Sequence, residues 1–154
     1  MTIIELKERQ ITTSETKLTA IYFQFGELLI ELGKKELSLN SIELINKCVE
    51  IVNNSSLEDK KLIKLIKEKQ TAILKQVEKE HKIVPKNYYR NLWMLFGMSG
   101  IGLPIGVAFG LTINNIGMLG IGLPIGMGIG LAIGASLDKK ALNQGKQLDL
   151  EIKH

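Results

Sequence analysis

The chain has 154 residues and a formal net charge of +4, with 20 Lys and Arg set against 16 Asp and Glu. That small excess is interspersed with acids, Glu68, Glu78 and Glu80 breaking up the lysine-rich run from Lys60 to Lys86. It speaks against a nucleic-acid surface, which needs a one-signed patch with stacking aromatics. A single cysteine, Cys48, excludes an intramolecular disulfide.

The averages conceal a sharp division. Residues 1–90 hold sixteen Lys or Arg, thirteen Asp or Glu and two glycines. Residues 91–137 hold twelve of the fifteen glycines and no charge, and residues 138–154 form a short polar tail with four lysines and three acids. The spacing predicts an all-α chain in three parts: a soluble cytoplasmic helical domain over 1–85, a transmembrane helical hairpin over 86–137, and a cytoplasmic tail.

The opening residues, MTIIELKERQ, lack a basic region followed by an apolar core, so no secretory signal is expected. A first helix is predicted from Thr12, where Thr-Thr-Ser-Glu has the form of a capping box. Its apolar stripe is Leu18, Ile21, Tyr22, Phe25, Leu28, Leu29 and Leu32, and Gly33 suits its end. A second helix is predicted from about Ser41 to Asn53, with Ile42, Ile45, Cys48, Val49 and Val52 on one face. Cys48 on that face reads as a small buried hydrophobe.

Ser56-Leu-Glu-Asp59 reads as a weaker capping box before a third helix. The stripe of that helix is Leu62, Ile66, Ile73, Val77 and Val84, with Lys69 an imperfect member, and Pro85 ends it. Three such helices read as a small α-helical domain or an antiparallel helical hairpin with an extra arm, packed on itself. A coiled coil with a partner would require a longer unbroken heptad run.

Tyr88, Tyr89, Arg90 and Trp93 then combine aromatic rings with positive charge, the composition of a membrane interface. Two spans follow, about 93–113 and 116–137, joined at Asn114-Asn115. Each would cross about 30 Å of hydrocarbon at about 1.5 Å per residue. Lys139 and Lys140 supply the second basic flank, so the positive-inside bias sets both termini in the cytoplasm and the Asn turn outside.

The spans are internally repeated: Gly97–Asn114 overlies Gly117–Gly134 at a shift of twenty, sharing GM.GIGLPIG...GL.I. Gly102, Gly106 and Gly110 line one face, and Gly122, Gly126, Gly130 and Gly134 line the other. Small residues at this spacing let helix backbones approach closely in lipid. Folding about the Asn pair sets Gly110 near Gly120, Gly106 near Gly122, Gly102 near Gly126 and Ser99 near Gly130. Gly97, Gly100, Gly117 and Gly128 fall off these faces and offer a surface for further copies. Pro104 and Pro124 lie at similar distances from the turn, and each is expected to bend its helix where a neighbouring helix or water must cover the freed carbonyl.

This four-residue glycine ladder resembles the glycine-zipper class of small bacterial two-span membrane proteins over about 97–135. The resemblance implies a close-packed membrane hairpin. Some members of the class are outer-membrane lipoproteins, but this sequence departs from them in lacking a secretory signal and a lipid-accepting cysteine. The bacterial inner membrane is therefore expected, with oligomerisation through the glycines off the seam. Two functions fit. One is a membrane-anchored interaction or scaffold protein whose cytoplasmic helical module binds another protein. The other is a pore-forming or permeabilising protein, holin-like or toxin-like, although the spans carry no ionisable residue for selectivity.

An enzyme is not expected. His81 and His154 are the only histidines, His81 reads as part of a solvated helix face, and no metal-ligand spacing or nucleophile elbow appears. Glu27 and Glu31, four apart, read as an ordinary surface pair. No cofactor is implied.

Overall fold

The computed structural model describes residues 2–7, 9, 16–115, 117 and 119–152, apart from the side chains of residues 16, 59 and 119. The capping box predicted at Thr12–Glu15 and the terminal His154 lie outside them. The architecture is all-helical, with no β-strand among the described residues. The chain divides into two compact units, one running up to Val84 and resuming at Leu148, the other spanning Pro85–Gln147.

In the first unit, α1 (Thr16–Gly33), α2 (Leu39–Asn53) and α3 (Asp59–His81) bury a common core. Phe25, Leu28, Leu32, Ile45, Val49, Val52, Ile66, Ile73 and Val77 are fully buried. A completely buried side chain of this size contributes about 1.5–3 kcal/mol from apolar surface alone, so this stripe of contacts fixes the unit. The gap in the third stripe is filled by Gln70, which is buried, whereas Lys69 turns toward Glu68 at the surface. Cys48 is buried as expected, and burial pushes its thiol pKa up.

The helix ends differ from the predicted ones for local reasons. Helix α2 starts at Leu39, because the Ser38 hydroxyl caps it by accepting the Ser41 N–H at 3.2 Å. Helix α3 gets no side-chain cap: Ser55, not Ser56, turns its hydroxyl inward, accepting Leu57 N–H at 3.1 Å. It stops at His81, where Lys82 takes a left-handed conformation (φ 58°), ahead of the residues that Pro85 disfavours as helix.

The polar tail is not all loose surface. Leu148 is buried in the first unit, its N–H donates to the Val84 carbonyl at 2.9 Å, and Asp149 N–H donates to Glu31 at 3.1 Å. Glu31 is therefore a structural acceptor rather than half of an idle surface pair.

The second unit is a hairpin. Its first rod is α4 (Tyr88–Phe96), a π-helical turn (Gly97–Gly102) and α5 (Leu103–Thr112), continuous over Tyr88–Thr112. Its second rod is α6 (Leu119–Asn143). Both are several residues longer at the foot than the predicted spans, with α6 running on past Lys139 and Lys140. At the far end Asn114 is left-handed (φ 52°) and Asn115 N–H returns to the Gly110 carbonyl at 2.9 Å, closing the first rod.

Candidate functional site

The described residues offer two constellations with chemical character, and they behave differently. The first joins the start of α2 to the end of α3. Glu80 accepts both hydroxyls, Ser38 at 2.6 Å and Ser41 at 2.7 Å, and these bonds hold its carboxyl below the usual carboxylate pKa. His81 is not on a solvated face: its Nε2 accepts the Ser38 N–H at 3.2 Å and lies 3.1 Å from the Ser41 hydroxyl. Ser, His and Glu thus meet, but not as a nucleophilic relay. Ser41 is fully buried, and Glu80 approaches the same imidazole nitrogen as the serines, so among the described residues no carboxylate orients the ring from behind. The cluster is a capping network.

The second constellation is the hairpin seam. Gly102, Gly106 and Gly110 on the first rod, and Gly122, Gly126, Gly130 and Gly134 on the second, are all buried. What buries them is main chain. A Cβ on Gly122 would lie 2.7 Å from Gly106 Cα, and one on Gly126 would lie 2.6 Å from Gly102 Cα. On Gly134 it would meet Arg90 Cα at 2.5 Å. Real Cβ atoms do not approach that closely, so the two backbones touch where the sequence places glycine.

The register agrees with the predicted pairing in the middle of the seam and departs from it toward both the turn and the foot. Gly122 faces Gly106 and Gly102, and Gly126 faces Gly102, but Gly130 meets Trp93 and Met94 rather than Ser99. Gly97, predicted off the seam, lies inside it, where an added Cβ would be 2.9 Å from Gly130 Cα. The cause is the π-helical turn. Leu103 N–H reaches back five residues to the Met98 carbonyl, and the extra residue puts Gly97 and Gly102 on one face although they are five apart. Pro104, which has no N–H and crowds the carbonyl four residues earlier, sits directly after this turn. Gly100 and Gly128 stay off the seam as expected, but Gly120, expected to face Gly110, lies off it as well, with open space at each of the three.

At the foot, the seam ends in an acid the sequence reading passed over. Asp138 follows Gly134 by four residues and is buried, and its two carboxylate oxygens accept Tyr89 N–H at 3.0 Å and Arg90 N–H at 2.9 Å. Asn87, the formal cap of α4, makes no side-chain cap bond. The second rod therefore caps the first, placing negative charge at its N-terminal dipole. The sequence signal was an acid at ladder spacing, standing beside two lysines.

Around the foot the Tyr88 and Tyr89 rings meet edge to face at 5.2 Å, and Trp93 meets Phe96 at 6.5 Å, while Arg90, Lys139 and Lys140 are exposed. The outward faces carry the large apolar residues: Phe96, Leu103, Phe109, Leu111, Ile121, Ile125 and Ile129 are all exposed. Two span hydroxyls bond back to their own helix, Ser99 to the Leu95 carbonyl at 2.9 Å and Thr112 to the Ala108 carbonyl at 2.7 Å. Both rods are long and apolar enough to cross a membrane, and only 22% of each apolar window is buried. No family model matches the chain, and no curated protein or solved structure is found to be similar to it.

Proposed function

We propose that this chain is a membrane-anchored, self-associating interaction protein. A glycine-zipper hairpin holds it in the bacterial inner membrane, and its N-terminal helical unit faces the cytoplasm to engage another protein. The observation that carries this reading is the inversion of the hairpin. Glycine lies inside against glycine, and bulky apolar side chains lie outside, which is stable where the surroundings are hydrocarbon and costly in water. A buried helix of a soluble core would instead be largely covered.

The spans carry no ionisable side chain, and the hydroxyls of Ser99 and Thr112 are bonded back to their own helix, so anchoring is favoured over a selective pore. The test uses the full chain with Cys48→Ala and a single cysteine at Asn114 or Asn115. Impermeant maleimide should label it only from the extracytoplasmic side, and the protein should resist alkaline extraction. Labelling only from the cytoplasmic side would reject the topology, and extraction into the soluble fraction would reject the anchor. Dye-filled liposomes carrying the purified chain should stay sealed. Leakage that rises with protein load would favour the permeabilising reading instead.

A further inference from the structure

The segment before α1 is held by side chains that read its main chain. Asn46 accepts Ile4 N–H at 2.8 Å and donates to the Thr2 carbonyl at 3.0 Å. Seven residues on, Asn53 repeats the pattern, accepting Lys7 N–H at 3.0 Å and donating to the Glu5 carbonyl at 3.1 Å. Each amide brackets one residue, Ile3 or Leu6, taking the carbonyl before it and the N–H after it. A neighbouring parallel strand would use the same pair. The Tyr22 hydroxyl donates to the Lys7 carbonyl at 2.7 Å, and the Arg9 guanidinium donates to the carbonyls of Ser55 and Leu57.

The two periods match. Seven residues of helix rise about 10.5 Å, and three residues of an extended three-fold chain advance about 9.3 Å. Exposure follows the same period: Ile3, Leu6 and Arg9 are half-buried, while Thr2, Ile4, Glu5 and Lys7 are exposed. Ile3 and Leu6 pack against the core. Asn46 is more than nine-tenths buried with the arm in place, and the hydrogen bonds of its amide run to this arm, which both covers and satisfies it. The arm is gripped along one edge only. A cavity of about 1160 Å³ opens beside it, walled by Phe23, Gly26 and Ile30 of α1, and Phe23 and Ile30 are about two-thirds exposed (66% and 64%).

We propose that this groove is a receptor for extended peptide main chain, and that residues 2–9 are an exchangeable arm which a second copy of the chain can insert in trans. Every contact defining the site is made by this segment, so the arm of a second copy satisfies the groove without any new interface. Only the connection through residues 10–15 separates the two arrangements, and six residues reach about 20 Å at most. Exchange therefore belongs to closely gathered chains, where a short tether and a near neighbour compete at similar effective concentration. The groove stands on the N-terminal unit alone, and its exchange between copies rests on the self-association proposed above.

The test uses the full chain in detergent with residues 2–9 removed, and the labelled peptide TIIELKER followed by fluorescence anisotropy. Saturable binding is expected, about ten-fold weaker both for the intact chain, whose own arm competes, and for the arm-deleted chain carrying Asn46→Ala and Asn53→Ala. Alanine at peptide positions Ile4 and Glu5 should change affinity by less than about three-fold, and aspartate at Ile3 and Leu6 should abolish binding. Should the deletion unfold the chain by circular dichroism, an intact chain with Ile3→Asp and Leu6→Asp vacates the same groove. Absence of peptide binding to either folded chain overturns the receptor, as does binding that survives loss of both asparagines.

Occupancy by a second copy is read by lysine crosslinking of mixed light and heavy isotope chains. Lys7 should crosslink to Lys47 of the other isotope, and this product should vanish with Asn46→Ala and Asn53→Ala while other crosslinks persist. Crosslinks from Lys7 confined to like isotopes overturn the exchange.

Discussion

Gly126 and Gly128 are two residues apart on one helix and have opposite surroundings. A methyl on Gly126 would press into Gly102 Cα, whereas one on Gly128 meets nothing within 4 Å. Gly126→Ala is therefore expected to force the rods apart and lower hairpin stability by about 1–3 kcal/mol. Gly128→Ala should be neutral or gain up to about 1 kcal/mol from helix propensity. Thermal unfolding of both variants in one detergent decides the point, and equal losses would reject the seam. A second expectation concerns acid. Hydrogen bonds from Ser38 and Ser41 depress the Glu80 pKa, and Lys34 and the Asp149 N–H depress that of Glu31. A carboxyl with a depressed folded pKa stabilises above its unfolded pKa, about 4.3 for Glu, and that contribution is lost as pH falls through the folded value. Melting temperature should thus drop below about pH 4.3, and Glu31→Gln with Glu80→Gln should flatten the drop. At this scale the sequence was readable where spacing alone decides, as at Gly126 and Cys48. It was not readable at Gln70, whose burial beside Gln24 (3.4 Å) is set by packing against another helix.

The segment Ile-Gly-Leu-Pro-Ile-Gly occurs twice and is built in two ways. Before Pro104 a helix already exists, so the proline is accommodated by opening the preceding turn into a π-helix. Pro124 stands in the second turn of α6, where the carbonyl four residues back belongs to Gly120, one residue into the helix. The repeat was legible and the difference was not, because it depends on what precedes each copy rather than on the copy itself. A deletion tests the account. Removing Ser99 leaves Gly97 and Gly102 separated by four positions, so an ordinary α-turn would keep both on the seam. The variant should retain the foot contacts, with labels at the exposed Leu92 and Ile129 staying at their original separation by electron spin resonance. Removing Phe109 instead, from regular helix, should rotate the foot off the seam and lengthen that distance by several ångströms.

Over the whole chain, the first unit is completed only by residues that follow the hairpin. Leu148 belongs to the core that begins at Leu18. Leu148→Ala should destabilise that unit by about 2–5 kcal/mol, measured as the urea midpoint of its helical signal. A variant within about 0.5 kcal/mol of the parent would mean the tail is dispensable. No periodicity in a seventeen-residue polar tail announces such a contact, since one leucine at long sequence separation leaves no local pattern. The two-part composition, by contrast, was plain from charge and glycine content. The Asp138 cap also sets an order in time. Tyr89 and its acceptor are 49 residues apart, so during synthesis the first rod emerges from the ribosome with the start of its helix unsatisfied. It stays incomplete until the second rod has almost wholly followed. The hairpin is consequently a unit of biogenesis, entering its final state as a pair rather than one helix after the other.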